Sequence, residues 1–254
     1  MRYLLSGLLL LTLCATFALA DAPLKPLPAN ATIDQILIAL KARGDTLHDF
    51  SGDVSMTHND MTTGDSTTDT GTIVFQKLPA GDTRIRVNFT AHIEGDRQFD
   101  RRHEYMLANG WLYERDYQQH LESDQQIVRP GEKLNLLKLG EGPFPLPIGQ
   151  EPSDVKMQFT VTQIPPAKGD PPGTLHVRLK PNPGSEFEHR FSLIDVWVDR
   201  QNDMPIQITT EDKNGSTTQT TDLTHLRLNA GVNDSDFVFP PVQGWTVTQK
   251  PYGQ

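Results

Sequence analysis

Cysteine is almost absent from this chain of 254 residues, in which Cys14 stands alone. A single cysteine cannot form a disulfide within the chain, so stability must come from an ordinary hydrophobic core. Basic residues are also few, since 23 Lys and Arg stand against 32 Asp and Glu without a dense basic cluster. Because phosphate-binding surfaces need clustered positive charge, nucleic acid is excluded as the main partner, and an anionic membrane surface is disfavoured.

The motifs of metal and nucleophile chemistry are missing as well. The sequence contains no His-Glu-x-x-His, no Gly-x-Ser-x-Gly and no glycine-rich phosphate loop. Asp60, Asp65 and Asp69 share a polar segment, but their spacing is not that of an EF-hand, and we interpret them as a solvated acidic loop. We therefore predict that the protein is not an enzyme and has no catalytic residue, metal site or cofactor. An exported β-rich hydrolase that uses a carboxylate pair is the alternative from another class.

The first twenty residues have the pattern of an export signal. A short basic region opens the chain, the apolar run Leu4–Leu13 follows, and small residues precede Asp21. We expect cleavage between Ala20 and Asp21, and the cysteine-free mature chain suits a bacterial envelope. A retained membrane anchor and a lipid on Cys14 are the alternatives. The run is short for a membrane span, and the bulky residue before Cys14 disfavours lipid attachment.

A proline-rich segment and a helix follow the signal. Residues 21–31 are interpreted as a flexible leader, and the domain proper extends over 32–254. Thr32 and Gln35 have the spacing of a capping box at the start of a helix over 32–43, which Gly44 should end. The apolar face of this helix contains Ile36, Leu37 and Leu40.

From residue 49 onward the apolar period changes to two, which is typical of β-strands. The polar segment 58–71 is predicted to be an exposed hairpin loop. Asn109-Gly110 lies between apolar runs and predicts a two-residue type I′ turn. The resulting register pairs Met106 with Tyr113. It also sets His103 opposite Asp116, which we interpret as a surface pair rather than a catalytic one.

The second half of the chain continues this pattern after one interruption. The segment that begins at Arg129 has the signals of a second, short helix, with Leu134 and Leu137 buried on one side. A stretch rich in Gly and Pro, 142–152, follows as an irregular linker or loop. Strand patterns resume over 157–162, 175–180, 191–198, 206–211 and 217–226. The sequence thus predicts one antiparallel β domain of about ten strands with two helices.

Three segments share their order and spacing with a known family. Tyr105–Tyr113 is a strand, a tight turn and an aromatic strand, Val198–Gly215 contains a turn and a hairpin, and Leu228–Val247 includes Phe-Val-Phe-Pro-Pro. On these residues the chain, from residue 32 to about 248, resembles the outer-membrane lipoprotein carriers, the LolA-like proteins of the bacterial periplasm.

The resemblance implies a fold and a function. The fold is mainly β: an unclosed antiparallel barrel, or half-barrel, lidded by helices. The function is that of a monomeric periplasmic carrier, which binds the acyl chains of lipoproteins or other lipids and moves them from an inner-membrane donor to an outer-membrane acceptor. Because this fold also serves envelope-stress sensors, a lipid-responsive regulator that binds a protein partner is the alternative.

The resemblance also assigns residues to the cavity and its lid. Strand alternation alone allows an ordinary β-sandwich core, and the resemblance favours a cavity instead. We therefore expect strand residues to line the cavity, namely Ile85, Val87, Phe89, Met106, Trp111, Tyr113, Phe159 and Val161. We expect helix residues to form the lid, namely Ile36, Leu37, Leu40, Leu134 and Leu137. In the family an arginine before a proline latches the lid, but here Leu78 precedes Pro79, and Lys77 should point to the opposite face. The lid should then be held mainly by apolar contacts.

Overall fold

The computed structural model describes residues 25–79, 81–133, 136–137 and 148–253. The predicted export signal, the cleavage expected between Ala20 and Asp21, and the lid candidate Leu134 lie outside these residues. In the described part no helix has both the length and the apolar character needed to cross a membrane.

Twelve strands form a single sheet within the described residues. They are β1 Asp49–Asp60, β2 Ser66–Lys77, β3 Thr83–Glu94, β4 Arg97–Ala108, β5 Trp111–Asp116, β6 Leu121–Gln126, β7 Phe159–Ile164, β8 Thr174–Pro181, β9 Phe191–Asp199, β10 Pro205–Asp212, β11 Thr217–Leu228 and β12 Thr246–Lys250. Two α-helices, α1 Ile33–Thr46 and α2 Pro152–Gln158, and a 3₁₀ turn at Asp234–Phe237 complete the secondary structure.

The strand order is β12-β6-β5-β4-β3-β2-β1-β11-β10-β9-β8-β7. Neighbours are antiparallel except at one edge, where β12 runs parallel to β6. The two edge strands, β12 and β7, are not paired with each other among the described residues. The prediction of a mainly β fold with an unclosed antiparallel sheet and helices is therefore confirmed.

One face of this sheet carries the main core, and we call it the inner face. On β3, Ile85, Val87 and Phe89 are all buried there, while the residues between them are partly exposed. This alternation is the expected result of period-two patterning in a strand with one covered face. Helix α1 packs on the inner face through Ile36, Leu37 and Leu40, as the sequence predicts.

Helix α1 begins as predicted but ends later. Thr32 caps it, and Gln35 completes the capping box. The predicted stop at Gly44 is wrong, because the helix continues to Thr46. Gly44 instead allows a close approach, since a Cβ atom there would lie 2.2 Å from the Cα of Gly149. The N–H of Gly149 donates to the carbonyl of Leu40 at 3.0 Å, which fixes this contact.

The described part of the predicted second helix is not helical. Residues 129–133 form turns and irregular chain, as do Leu136 and Leu137. The helical turn occurs later, in α2, where Pro152 occupies its first turn and Glu151 its N-cap. A proline at the first helical position is favourable, and this signal within the Gly- and Pro-rich stretch marks the helix start.

Other boundaries also differ from the sequence predictions. The polar segment 58–71 is mostly strand, because β1 and β2 extend through paired threonines such as Thr57 and Thr68, whose hydroxyls lie 2.9 Å apart. In the described part of the leader, Leu27 exchanges two hydrogen bonds with Arg200, at 2.8 Å each, and its side chain is buried.

The Asn109-Gly110 turn is the most accurate local prediction. Both residues have positive φ, 54° and 76°, as a type I′ turn requires. The register also matches, with Met106 opposite Tyr113 and His103 opposite Asp116. This hairpin decides which side chains of β4 and β5 share a face.

Candidate functional site

The inner face is apolar over the area that α1 covers. Phe50 and Phe75 are fully buried and stack with ring centroids 5.2 Å apart. The same cluster extends into the second half of the sheet through Leu175, Val177, Ile194, Val196 and Leu223. Both halves of the sheet thus contribute to one core beneath the helix.

Beyond the area covered by α1, the inner face opens into a cleft of about 310 Å³. Along β1, Phe50 and Val54 lie in the core, and Met56 reaches the cleft. Phe89 belongs to both regions. The lining residues are Met56, Asp69, Phe89, Arg101, His103, Tyr105 and Gln219. We define these seven residues as the inner cleft.

Two histidine–carboxylate pairs frame the inner cleft. His103 Nε2 lies 2.9 Å from Glu114 Oε1, and His92 Nδ1 lies 2.8 Å from Asp69 Oδ1. The sequence prediction of Asp116 as the side-chain partner of His103 is wrong, although the backbone register is right. The His103 ring stacks on Tyr105 at 4.6 Å and turns toward Glu114, which lies opposite Tyr105.

Tyr105 remains an uncharged donor in this environment. Burial raises the pKa of Tyr105 to about 12, and the nearby carboxylates of Glu114 and Asp69 act in the same direction. The Phe89 ring contacts Tyr105 edge-on at 6.2 Å. The cleft therefore combines aromatic rings with hydrogen-bonding groups.

Arg101 supplies the cationic group of the cleft. Its Nε is shielded from solvent and has no hydrogen-bond partner among the described residues. Of the seven lining residues, sequence analysis predicted Phe89 and missed the other six, namely Met56, Asp69, Arg101, His103, Tyr105 and Gln219. Arg101, His103 and Tyr105 alternate along β4, so their shared face could have been read from the sequence.

The eight predicted cavity residues divide between the two faces of the sheet. Ile85, Val87, Phe89 and Phe159 are buried in the inner core. Val161 is half-buried and lines a shallow groove beside the start of α1, together with Ile33. Met106, Trp111 and Tyr113 do not lie on the inner face and are excluded from its lining.

The hairpin register explains this correction. Ile85 pairs with Leu107, whereas Met106 pairs with Arg86 on one side and Tyr113 on the other. Since paired residues share a face, Met106 and Tyr113 lie on the face opposite Ile85. There Met106, Ala108 and Phe237 form a second cluster, against which Tyr113 and Phe239 pack.

The outer face also contains a buried charge network. Glu104 has no exposed surface and accepts hydrogen bonds from Arg86, Arg102 and the hydroxyl of Tyr117. Arg115 is 2% exposed, donates to Glu122 at 2.7 Å and lies 4.3 Å from the Phe239 ring. These contacts attach the C-terminal segment to the sheet, so the outer aromatic residues have a packing role.

Two of the three aspartates in the acidic segment have partners within the protein. Asp60 accepts backbone hydrogen bonds from Thr62 and Thr63, which lower its pKa, and Asp69 is paired with His92. Among the described residues no three His, Cys, Asp or Glu side chains are grouped as metal ligands.

The lid candidates that the structure describes are buried on the inner face. These are Ile36, Leu37 and Leu40 in α1, and Leu137, which joins the same core from the segment before α2. The C-terminal end of α1 is fixed by Arg43, whose Nε donates to the carbonyl of Asn202 at 2.7 Å.

Lys77 also reaches the helix. Its Nζ donates to the carbonyl of Gly44 at 3.3 Å, so the expectation that Lys77 points away is wrong. Lys77 follows Phe75 by two residues on β2 and shares its face. At the other end of α1, Asp34 forms an exposed ion pair with Lys156 of α2. Polar contacts thus anchor the C-terminal end more firmly than the N-terminal end.

Comparisons with known proteins give structural likenesses alone. No protein-family model matches the chain, and no curated protein matches it. The chain is similar to an uncharacterized conserved protein from Thermus thermophilus, with a TM-score of 0.48, 9% identity, and coverage of 85% of this chain and 98% of that one. It is similar to MucB, with a TM-score of 0.45 and 14% identity, over 82% of this chain and 62% of that one. The chain thus spans less than two thirds of MucB. It is also similar to a LolA superfamily protein from Nitrosomonas europaea, with a TM-score of 0.33 and 10% identity, over 82% and 98% of the two chains.

Proposed function

We propose that the protein binds the acyl chains of a lipid or lipoprotein on its inner face and carries them through the periplasm between membranes, without catalysis. The observation that supports this most directly is the continuity between the inner cleft and the core beneath α1. Met56 and Tyr105 line the cleft and also pack against the apolar cluster that seats the helix. An acyl chain that enters the cleft would therefore contact the apolar side chains of this cluster at the inner end of the cleft.

The apolar surface beneath α1 provides the additional space that an acyl chain needs beyond the inner cleft. The helix covers the inner face mainly through aliphatic side chains, and such contacts have no fixed geometry. The side-chain contact between its N-terminal end and α2 is an exposed ion pair, which contributes at most about 1 kcal/mol. The chain before this end is attached to Arg200 through Leu27. Outward movement of this end would uncover apolar surface, which each buried methylene of a lipid would stabilise by about 0.8 kcal/mol.

Mass spectrometry of the intact native protein, purified from the periplasm, tests this proposal. Stoichiometric bound lipid, identified after extraction, is the expected result. Reproducible absence of lipid together with a defined protein partner would contradict the carrier and support the regulator. The same measurement gives the mass of the mature protein, which should equal that of a chain beginning at Asp21.

A matched pair of substitutions tests the location of the site. Met56→Asp places a charge on the cleft wall and should lower the affinity for a fluorescent fatty-acid probe by about tenfold or more, since a buried unpaired charge is costly. Met61→Asp makes the same chemical change at a side chain that is 62% exposed and should leave affinity unchanged. Thermal unfolding must show that both variants are folded. Equal affinity of the two folded variants would remove the inner cleft as the site.

A further inference from the structure

Arg101 is placed as a ligand-binding group would be. It lies on β4 with His103 and Tyr105 along one wall of the inner cleft. Its Nε–H is shielded from water, and the described residues offer it no acceptor. A buried donor without an acceptor is unfavourable, and such groups are rare in folded proteins. An acceptor supplied by a ligand would remove this penalty.

Asp69 in the cleft and Glu114 beside it are both bonded to histidines, Asp69 to His92 and Glu114 to His103. No carboxylate of the described residues lies within 4.0 Å of the Arg101 guanidinium nitrogens. The positive charge of Arg101 is thus available to an incoming anion, and each neighbouring carboxylate is already hydrogen-bonded to a histidine ring.

The walls next to Arg101 are apolar. Met56 and the rings of Phe89 and Tyr105 lie in the same cleft, and Phe89 continues into the core beneath α1. A cation beside a hydrocarbon surface suits a ligand with both characters. A small hydrophilic anion would leave the apolar walls uncovered, and a neutral hydrocarbon would leave Arg101 unpaired.

We propose that the inner cleft binds the anionic head of a single-chain amphiphile, a carboxylate or a phosphate, at Arg101, with the chain directed past Phe89 toward the seat of α1. This inference rests on the proposed function, because it requires that the inner face accept an acyl chain. It adds a selectivity, since charged amphiphiles should be preferred over uncharged ones of equal length. Gln219, on the β11 side of the cleft, offers a second hydrogen-bonding group to the head.

Calorimetric titration with laurate and with methyl laurate separates the two proposals. The wild-type protein should bind laurate about tenfold or more tightly than the uncharged ester, as expected for a hydrogen bond to a charged group. Arg101→Gln should remove most of this difference, because it should weaken the binding of laurate far more than the binding of methyl laurate. Arg97→Gln is the matched control, because Arg97 lies on the same strand but is exposed and remote from the cleft. Because Nε has no hydrogen-bond partner among the described residues, Arg101→Gln should fold at least as stably as the wild type.

Each other outcome overturns a specific claim. If Arg101→Gln binds laurate as tightly as the wild type, the anionic-head site is wrong, while binding of methyl laurate still supports the proposed function. If the wild type binds neither ligand, both proposals fail. Acetate and inorganic phosphate complete the set: binding of either, comparable to that of laurate and lost in Arg101→Gln, would make this a small-anion site and overturn the amphiphile.

Discussion

At the scale of single residues, burial decides what a side chain contributes. Val87 and Met106 are both apolar residues of the same sheet, yet one lies in the inner core and the other under the C-terminal segment. Periodicity predicts that each is buried but does not say on which face, because both faces of β4 are covered near the turn. The cross-strand register carried the missing information: Met106 is paired with Arg86, not with a residue of the inner face.

Asp203 gives a pH-dependent prediction at this scale. It is buried in the turn between β9 and β10, and burial raises its pKa above the ordinary 3.8, reinforced by Asp199 and opposed by Arg43. The folded protein therefore holds a proton at this site over a pH range in which the unfolded chain has released it. By linkage, this group makes the wild type less stable as pH rises from about 3.8 through the folded pKa.

Replacement of this carboxyl by an amide removes the dependence. The free energy of unfolding of Asp203→Asn, minus that of the wild type, should rise with pH across this window and then stay constant. Asn suits the backbone, because residue 203 has φ of 56° and Asn tolerates the left-handed region. Urea unfolding at several pH values between about 3.5 and 7 measures the difference. A difference that is flat or falls with pH would contradict the assigned pKa direction.

At the scale of elements, turns and caps that are fixed by hydrogen bonds between residues close in sequence were predicted correctly, and elements that depend on distant contacts were not. The Asn109-Gly110 hairpin and the Thr32 cap each satisfy their hydrogen bonds within a few residues, and both were predicted correctly. Helix α2 was missed, since its seven residues have little local preference and Val155 is their one fully buried side chain. Gly44 was misread because its neighbour in space, Gly149, is remote in sequence.

The unequal attachment of α1 predicts how it moves. Arg43 and Asn229 hold its C-terminal end to the turn before β10 and to the end of β11, and the N-terminal end contacts α2 through Asp34 and Lys156. Asp34→Cys with Lys156→Cys, joined by a short bismaleimide, should fix the N-terminal end and slow lipid exchange by about tenfold or more. A probe-displacement assay before and after cross-linking measures this rate.

Two controls make that experiment specific. Each single cysteine variant, treated with the same reagent, should exchange lipid at the wild-type rate. Exchange in the wild type should change little with ionic strength, because an exposed ion pair contributes little to the closed state. If the cross-linked protein exchanges lipid as fast as the single variants, α1 is not the gate.

At the scale of the whole molecule, the C-terminal segment completes one edge of the sheet. It crosses the outer face through Phe237 and Phe239, contacts Arg115, and ends in β12 beside β6. Every residue of β12 is exposed, so it covers the edge of β6 with backbone hydrogen bonds rather than with a core. Without β12, the edge of β6 would be exposed, and exposed strand edges pair readily with other chains.

Removal of residues 242–254 should therefore change the association state. The truncated protein should keep Phe237 and Phe239 on the sheet but expose the β6 edge, and it should form dimers or larger species as its concentration rises. Light scattering coupled to size-exclusion chromatography measures this change. A shorter truncation, of residues 251–254, leaves β12 in place and should match the full chain. A monomer at all concentrations after the longer truncation would show that the β6 edge is protected by other means.

The position of β1 in the sheet sets the order in which the molecule can assemble. Strands β1 to β6 pair with their neighbours in sequence, and so do β7 to β11. In the part of the sheet that the structure describes, the two groups are joined where β1 pairs with β11. At that seam His225 bonds to Asp53, 172 residues away in sequence. During synthesis the first group can form hairpins early. The free edge of β1 can pair only after β11, near the end of the chain, has been synthesised. High sequence separation slows folding, so closure of this seam should be the late, rate-limiting step. Until it closes, the inner face is an exposed apolar surface at which unfinished chains can aggregate.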